Sequence, residues 1–143
     1  MSMRSCFVVQ DKYYDVSWES FGVCNQNPRD AFEKMCRWLF NDFFFEGKAL
    51  LHSNPNNAGI EVIPVLHIPT NKRISFQAKY FSAMDYEQIK HSARKTIEYY
   101  ADKIDTIYLY CNKDVTTTSK GYIEVEKILK EKDIEGLLCR VTF

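Results

Sequence analysis

An excess of charge of either sign is missing from this chain. Nineteen Lys and Arg balance nineteen Asp and Glu, for a formal net charge of zero. Bulk electrostatics therefore gives no argument for a nucleic-acid or membrane partner, and any such argument must rest on local patches. Long apolar runs are missing too. No stretch approaches the ~20 residues needed to cross a bilayer, and the N-terminus lacks the apolar segment of a signal peptide. The five cysteines (Cys6, Cys24, Cys36, Cys111 and Cys139) are odd in number and scattered, and none forms C-x-x-C or a zinc-ligand spacing with His52, His67 or His91. The simplest reading is reduced, mostly buried thiols in a cytoplasmic protein without membrane attachment. Internal repeats and low-complexity stretches are also lacking.

What is present is a folding composition. Apolar residues make up 45% and aromatics 15% of 143 residues, enough for one domain over 1–143 with a core of its own. Residues 1–26 read as an irregular extension, with a short strand expected at Cys6–Gln10 and an aromatic, irregular stretch from Tyr13 to Phe21. Asn27-Pro28 then opens a helix, Asn at the cap and Pro at the first helical position. Phe32, Met35, Cys36, Leu39, Phe40 and Phe43 recur at helical spacing, and Gly47 closes the segment. Lys48–His52 reads as a short strand and Ser53–Asn57 as a loop. A strand follows from Asn57 through Val65, with Pro64 marking an edge or a bulge. Pro69-Thr70-Asn71-Lys72 supplies a turn, and Ile74–Phe81 reads as its partner strand.

Farther on, Ser82-Ala83-Met84-Asp85 has the form of a capping box. The helix behind it runs to about Ala101, with Tyr86, Ile89, Ala93, Ile97 and Tyr100 inward. Asp105–Cys111 is a core strand. A helix starting at Thr116–Ser119 turns Tyr122, Val125, Ile128 and Leu129 inward, Asp133–Gly136 turns the chain, and Leu137–Phe143 is a last strand. This order predicts an α/β sandwich with a mixed central sheet flanked by helices. Ending in or just after a strand suggests a domain cut from a longer protein.

The chemistry concentrates in the hairpin. Side chains alternate along a strand, so Gln77 and Lys79 share one face while Ile74, Phe76, Ala78 and Tyr80 supply the other. Glu61 shares a face with the apolar Ile63 and Val65. A carboxylate there needs a partner such as Lys79 or a cation. The plainer alternative makes Glu61 a strand-end charge and Lys79 an edge lysine laid along apolar surface.

Gly59-Ile60-Glu61 followed by Gln77-Ala78-Lys79 resembles the catalytic core of the PD-(D/E)XK nuclease superfamily, and within it the Mrr-like restriction endonuclease branch. The resemblance spans about Arg29 to Asn112 and rests on short motifs. It implies a restriction-endonuclease-like αβββαβ core, here with a C-terminal αβ extension, and metal-dependent hydrolysis of DNA phosphodiester bonds. By the same resemblance Glu61, the Gln77 side chain, the Ala78 carbonyl and Glu33 would hold Mg²⁺ or Mn²⁺, with Lys79 as the catalytic cation. Two departures from the wider superfamily are visible: Glu61 stands where Asp is usual, and neutral Gln77 stands where an acid is usual. Glu33 is open to a second reading, an ion pair with Arg37 four residues on. The resemblance further implies a role in bacterial antiviral defence, double-stranded DNA as partner, further NTPase or sensor domains, and assembly into homo-oligomers.

Gln88, Lys90, His91, Ser92, Arg94 and Lys95 form the densest basic patch of the sequence, suited to a DNA backbone or equally to a solvated helix face. Two rival functions stand beside the nuclease. One is a nuclease-like domain that binds nucleic acid without cutting it, as neutral Gln77 suggests. The other is an interaction domain of a multidomain protein whose hairpin charges are structural.

Overall fold

A computed structural model describes residues 17–55 and 59–142. The strand expected at Cys6–Gln10, the start of the aromatic stretch at Tyr13, the loop residues 56–58 and the terminal Phe143 lie outside the described residues. Two helices come first, α1 (Trp18–Cys24) and α2 (Pro28–Phe45). Strands β1 (Val65–His67) and β2 (Lys72–Lys79) follow, then α3 (Tyr86–Tyr100), β3 (Thr106–Cys111), α4 (Lys120–Lys130) and β4 (Glu135–Arg140). The four strands lie in the order β1-β2-β3-β4. The first pair is antiparallel and the other two are parallel. This is a mixed sheet in an α/β fold, as the element order predicts.

Residue alternation builds the layers. Ile74, Phe76 and Ala78 of β2, Tyr80 just after it, and Tyr108 and Tyr110 of β3 pack with Phe21, Phe32, Cys36 and Phe40 of α1 and α2. The opposite face sends Ile107, Leu109 and Cys111 against Ile89 and Ala93 of α3 and Val125 and Leu129 of α4. Phe32, Phe40 and Phe76 have no exposure at all, and burying each contributes about 1.5–3 kcal/mol. The inward stripe expected for α3 is observed, and that of α4 holds for Val125, Ile128 and Leu129, while Tyr122 stays half-buried outside the core.

The caps refine the boundaries. Asn27 Oδ1 accepts from Asp30 N at 3.2 Å and Pro28 is the first helical residue. The α2 end comes one residue earlier than expected, with Glu46 left-handed (φ 55) just before Gly47 (φ 75). The cap of α3 is Asp85 rather than Ser82: its Oδ1 accepts from the amides of Glu87 and Gln88. The segment expected to be irregular through residue 26 holds α1, capped by Ser17. Of the expected thiols, Cys36, Cys111 and Cys139 are free, whereas Cys24 is disulfide-bonded.

Lys48–His52 does not form a strand. The Asn41 side chain takes both the N–H and the C=O of Ala49 at 3.0 Å, so those groups are lost to any ladder. What remains of the pairing is an isolated bridge between Ser53 and Val62, with Ile63 N donating to His52 O at 2.8 Å. The strand expected over 57–65 is likewise short. Pro64 has no N–H to give, and regular pairing with β2 starts only at Val65 opposite Ile74. The turn expected at 69–72 forms one residue earlier, at 68–71, with Asn71 at φ 55 and Lys72 already in β2.

Candidate active site

Glu61 sits on the rim of the sheet, on the segment that precedes β1. Its N–H donates to Phe76 O at 2.8 Å, and its Oε2 accepts from Ala78 N at 2.6 Å. The carboxylate thus occupies a place where a strand partner would otherwise satisfy Ala78. The N–H and C=O of one residue point to the same side of a strand, so the Ala78 carbonyl opens on the same rim.

Gln77 and Lys79 project from β2 toward α3, as the alternation requires. With Glu61 they line a cleft of about 240 Å³, completed by Gly59 and by His91, Ser92 and Lys95 of α3. The three motif residues singled out in the sequence therefore share one cavity. Gly59, at φ 81, brings the chain against α3: a Cβ there would stand 2.2 Å from Ser92 O and 2.4 Å from Thr96 Oγ1. Only glycine permits that approach.

Gln77 is buried (2% exposed). Its Nε2 donates to the Gly59 carbonyl, which fixes the amide orientation, since an oxygen could not face that carbonyl. Its Oε1 is buried and finds no hydrogen-bond partner among the described residues. A buried unpaired acceptor costs about 1–3 kcal/mol and is a place for a cation or a donor to bind.

The electrostatics agree with a site short of positive compensation. Burial raises the Glu61 pKa to about 7; the Ala78 N–H opposes this, Glu33 adds to it, and Lys79 and Arg37 act against it. Burial also lowers the Lys79 pKa, with Glu61 pulling the other way. A divalent cation would restore the ionised form of Glu61.

The rest of the expected set divides. Glu33 does not line the cleft. It forms the i,i+4 pair with Arg37 at 3.6 Å and lines a separate cleft with Asp30, Lys34, Arg37, Trp38 and Ser53, reaching Glu61 only through its field. Among the described residues no group of three His, Cys, Asp or Glu side chains is placed to hold a metal. An ion here would rely on one carboxylate, the Gln77 oxygen and the Ala78 carbonyl, a set that fits a hard cation completing its shell with water and phosphate oxygens.

On α3, His91, Ser92 and Lys95 face the cleft, and Arg94 is exposed. Lys90 does not belong to a DNA-facing patch. Only 8% exposed, it bonds Glu124 of α4 at 2.5 Å and also pairs with Glu87. Ser92 is buried and its carbonyl accepts from Thr96 Oγ1. Gln88 is turned back onto the cap, Nε2 to Asp85 Oδ2 at 3.0 Å. Sequence reasoning missed Asn112, a buried side chain that bonds both N and O of Phe81 at 2.7 and 2.8 Å and so fixes the exit of β2 beside Lys79. No signal distinguished it from an ordinary strand-end asparagine.

No family model matches the chain, and no curated protein matches it. Among the described residues no helix is long and apolar enough to cross a membrane.

Proposed function

We propose that this chain is a metal-dependent nuclease of the PD-(D/E)XK type, in the Mrr-like branch, that hydrolyses DNA phosphodiester bonds. The carrying observation is the convergence of Glu61, Gln77 and Lys79 on one cleft with Gln77 Oε1 buried and unpartnered. The antiparallel β1-β2 pair followed by α3 and parallel β3, with a bridge at Ser53–Val62 in place of a third strand, supports the αβββαβ reading. Service in bacterial defence, with further domains alongside, belongs to the same proposal.

Glu61, Gln77 Oε1 and the Ala78 carbonyl would hold Mg²⁺ or Mn²⁺, which when bound supplies Lewis-acid polarisation of the scissile phosphate and a more acidic water. The chain's own residues do the remainder. The Ala78 amide holds Glu61 in place. Gly59 holds the Gln77 amide so that its oxygen faces away from the backbone. Lys79 directs an ammonium into the cleft, where it offsets charge developing on phosphate oxygens. Its lowered pKa also suits it to orienting the attacking water, or to accepting a proton from it when neutral. Lys95 and His91, across the cleft on α3, bind the flanking phosphates.

A second reading has its own support. Among the described residues one carboxylate lines the cleft, against Lys79 and Lys95, so the site also fits phosphate binding without hydrolysis. Supercoiled plasmid incubated over a range of Mg²⁺ and Mn²⁺ separates the two. Nicking by wild type that is lost in Lys79→Ala supports the nuclease; DNA bound but uncut at every metal concentration supports the binding module.

A further inference from the structure

We propose that the cleft between α2 and Ser53 is a nucleobase subsite, in which an unpaired base of the strand to be cut stacks on Trp38 and accepts a hydrogen bond from Arg37. The inference rests on the nuclease reading for the identity of that strand.

This second cleft has a volume of about 450 Å³ and contains Arg37, Trp38 and Ser53 along with Asp30, Glu33 and Lys34. It flanks the Glu61 rim. Ser53 is bridged to Val62, the residue after Glu61, and Arg37 Nη2 donates to Ser53 Oγ at 3.1 Å. The charges of Glu33 and Arg37 both act on Glu61. A strand lying across the rim at Glu61 would meet the α3 cleft on one side and this one on the other.

Two features ask for a flat ligand with an acceptor edge. Trp38 is 83% exposed, and Phe43 farther along the same helix is exposed too, but Trp38 alone of the two lines this cleft. Trp18, by contrast, packs edge-on against Phe21 and Phe32 with ring centroids 5.3 Å apart. Beside Trp38, Arg37 Nε is buried and finds no hydrogen-bond partner among the described residues. Every base offers a π face, and its carbonyl or ring-nitrogen edge offers an acceptor for that N–H. A base can reach the indole only when unstacked, so the favoured substrate carries an unpaired stretch at or beside the cut. This alters the expectation of plain double-stranded DNA.

The test uses intrinsic fluorescence, because the chain holds only two tryptophans and Trp38 is the exposed one. A short single-stranded oligodeoxyadenylate is titrated into the wild-type protein in EDTA, where no cleavage occurs. The expected result is quenching that saturates in the wild type; read by anisotropy of the same oligonucleotide carrying a terminal fluorophore, binding is weakened roughly five- to hundred-fold in Trp38→Ala and largely kept in Trp38→Phe. A fully paired duplex is expected to quench far less. Absence of quenching, equal affinity in Trp38→Ala, or equal quenching by duplex overturns the subsite; the first result would leave Trp38 to a protein partner. Since the titration needs no metal, cleavage without quenching overturns the subsite alone. Quenching without cleavage in Mg²⁺ or Mn²⁺ overturns the nuclease and leaves a base-binding site standing.

Discussion

The amide of Ala78 donates to Glu61 Oε2 at 2.6 Å, so a backbone group that would ordinarily serve a sheet ladder instead holds an acid at the sheet rim. That acid is costly to ionise where it stands. Its pKa is raised from 4.5 to about 7 chiefly by burial. Folding therefore favours the protonated form, and the corresponding stability is fully present below about pH 4.5 and lost as pH rises through about 7.

Glu61→Gln keeps an oxygen for the Ala78 amide and removes the ionisation. Wild type and variant are expected to match near pH 4. At pH 8 the variant is expected to be the more stable by up to about 3 kcal/mol, the worth of the shift at ~1.36 kcal/mol per pH unit. Urea denaturation at the two pH values measures the difference.

The same linkage governs the cation. Mn²⁺ requires the ionised carboxylate, so its affinity is expected to fall about ten-fold per pH unit below pH 7. Calorimetric titration of wild type at several pH values checks this. Gln77→Leu, which removes the unpartnered oxygen, is expected to weaken binding at every pH.

Gly59→Ala is expected to lose stability by more than ~1 kcal/mol, since the position combines a left-handed backbone with a close approach to Ser92 and Thr96. The displaced loop would also carry off the carbonyl that holds Gln77 Nε2. Thermal denaturation and Mn²⁺ affinity should therefore both fall in this one variant.

Lys90 and Lys95 are five residues apart on α3 but have different work. Lys90→Ala leaves Glu87 and Glu124 without their shared cation and is expected to lower the melting temperature without changing DNA affinity. Lys95→Ala is expected to leave melting unchanged, weaken DNA binding and reduce the salt slope by about one. Melting curves and salt-dependent binding isotherms distinguish them.

Periodicity made much of this legible. The alternation of β2 put Gln77 and Lys79 on one face and Phe76 on the other, and the 3.6-residue stripe of α3 put His91 and Lys95 beside them. What stayed hidden was long-range side-chain bonding. Nothing local says that Asn41 reaches Ala49 and cancels a strand, that Asp85 outcompetes Ser82 for the helix cap, or that Glu124, thirty-four residues away, takes Lys90 out of the basic patch. Glu33 was open between two readings because helical spacing offers Arg37 as a partner on any fold; its distance from the Glu61 cleft depends on how α2 crosses the sheet.

The most direct test is the rate of supercoiled plasmid nicking by Glu61→Gln in Mn²⁺, using protein whose melting curve at pH 4 overlays the wild type. The account predicts that wild type cuts and that this folded variant is slower by roughly a hundred-fold or more, as for loss of a metal ligand or its support. Cutting by the variant at the wild-type rate would contradict it.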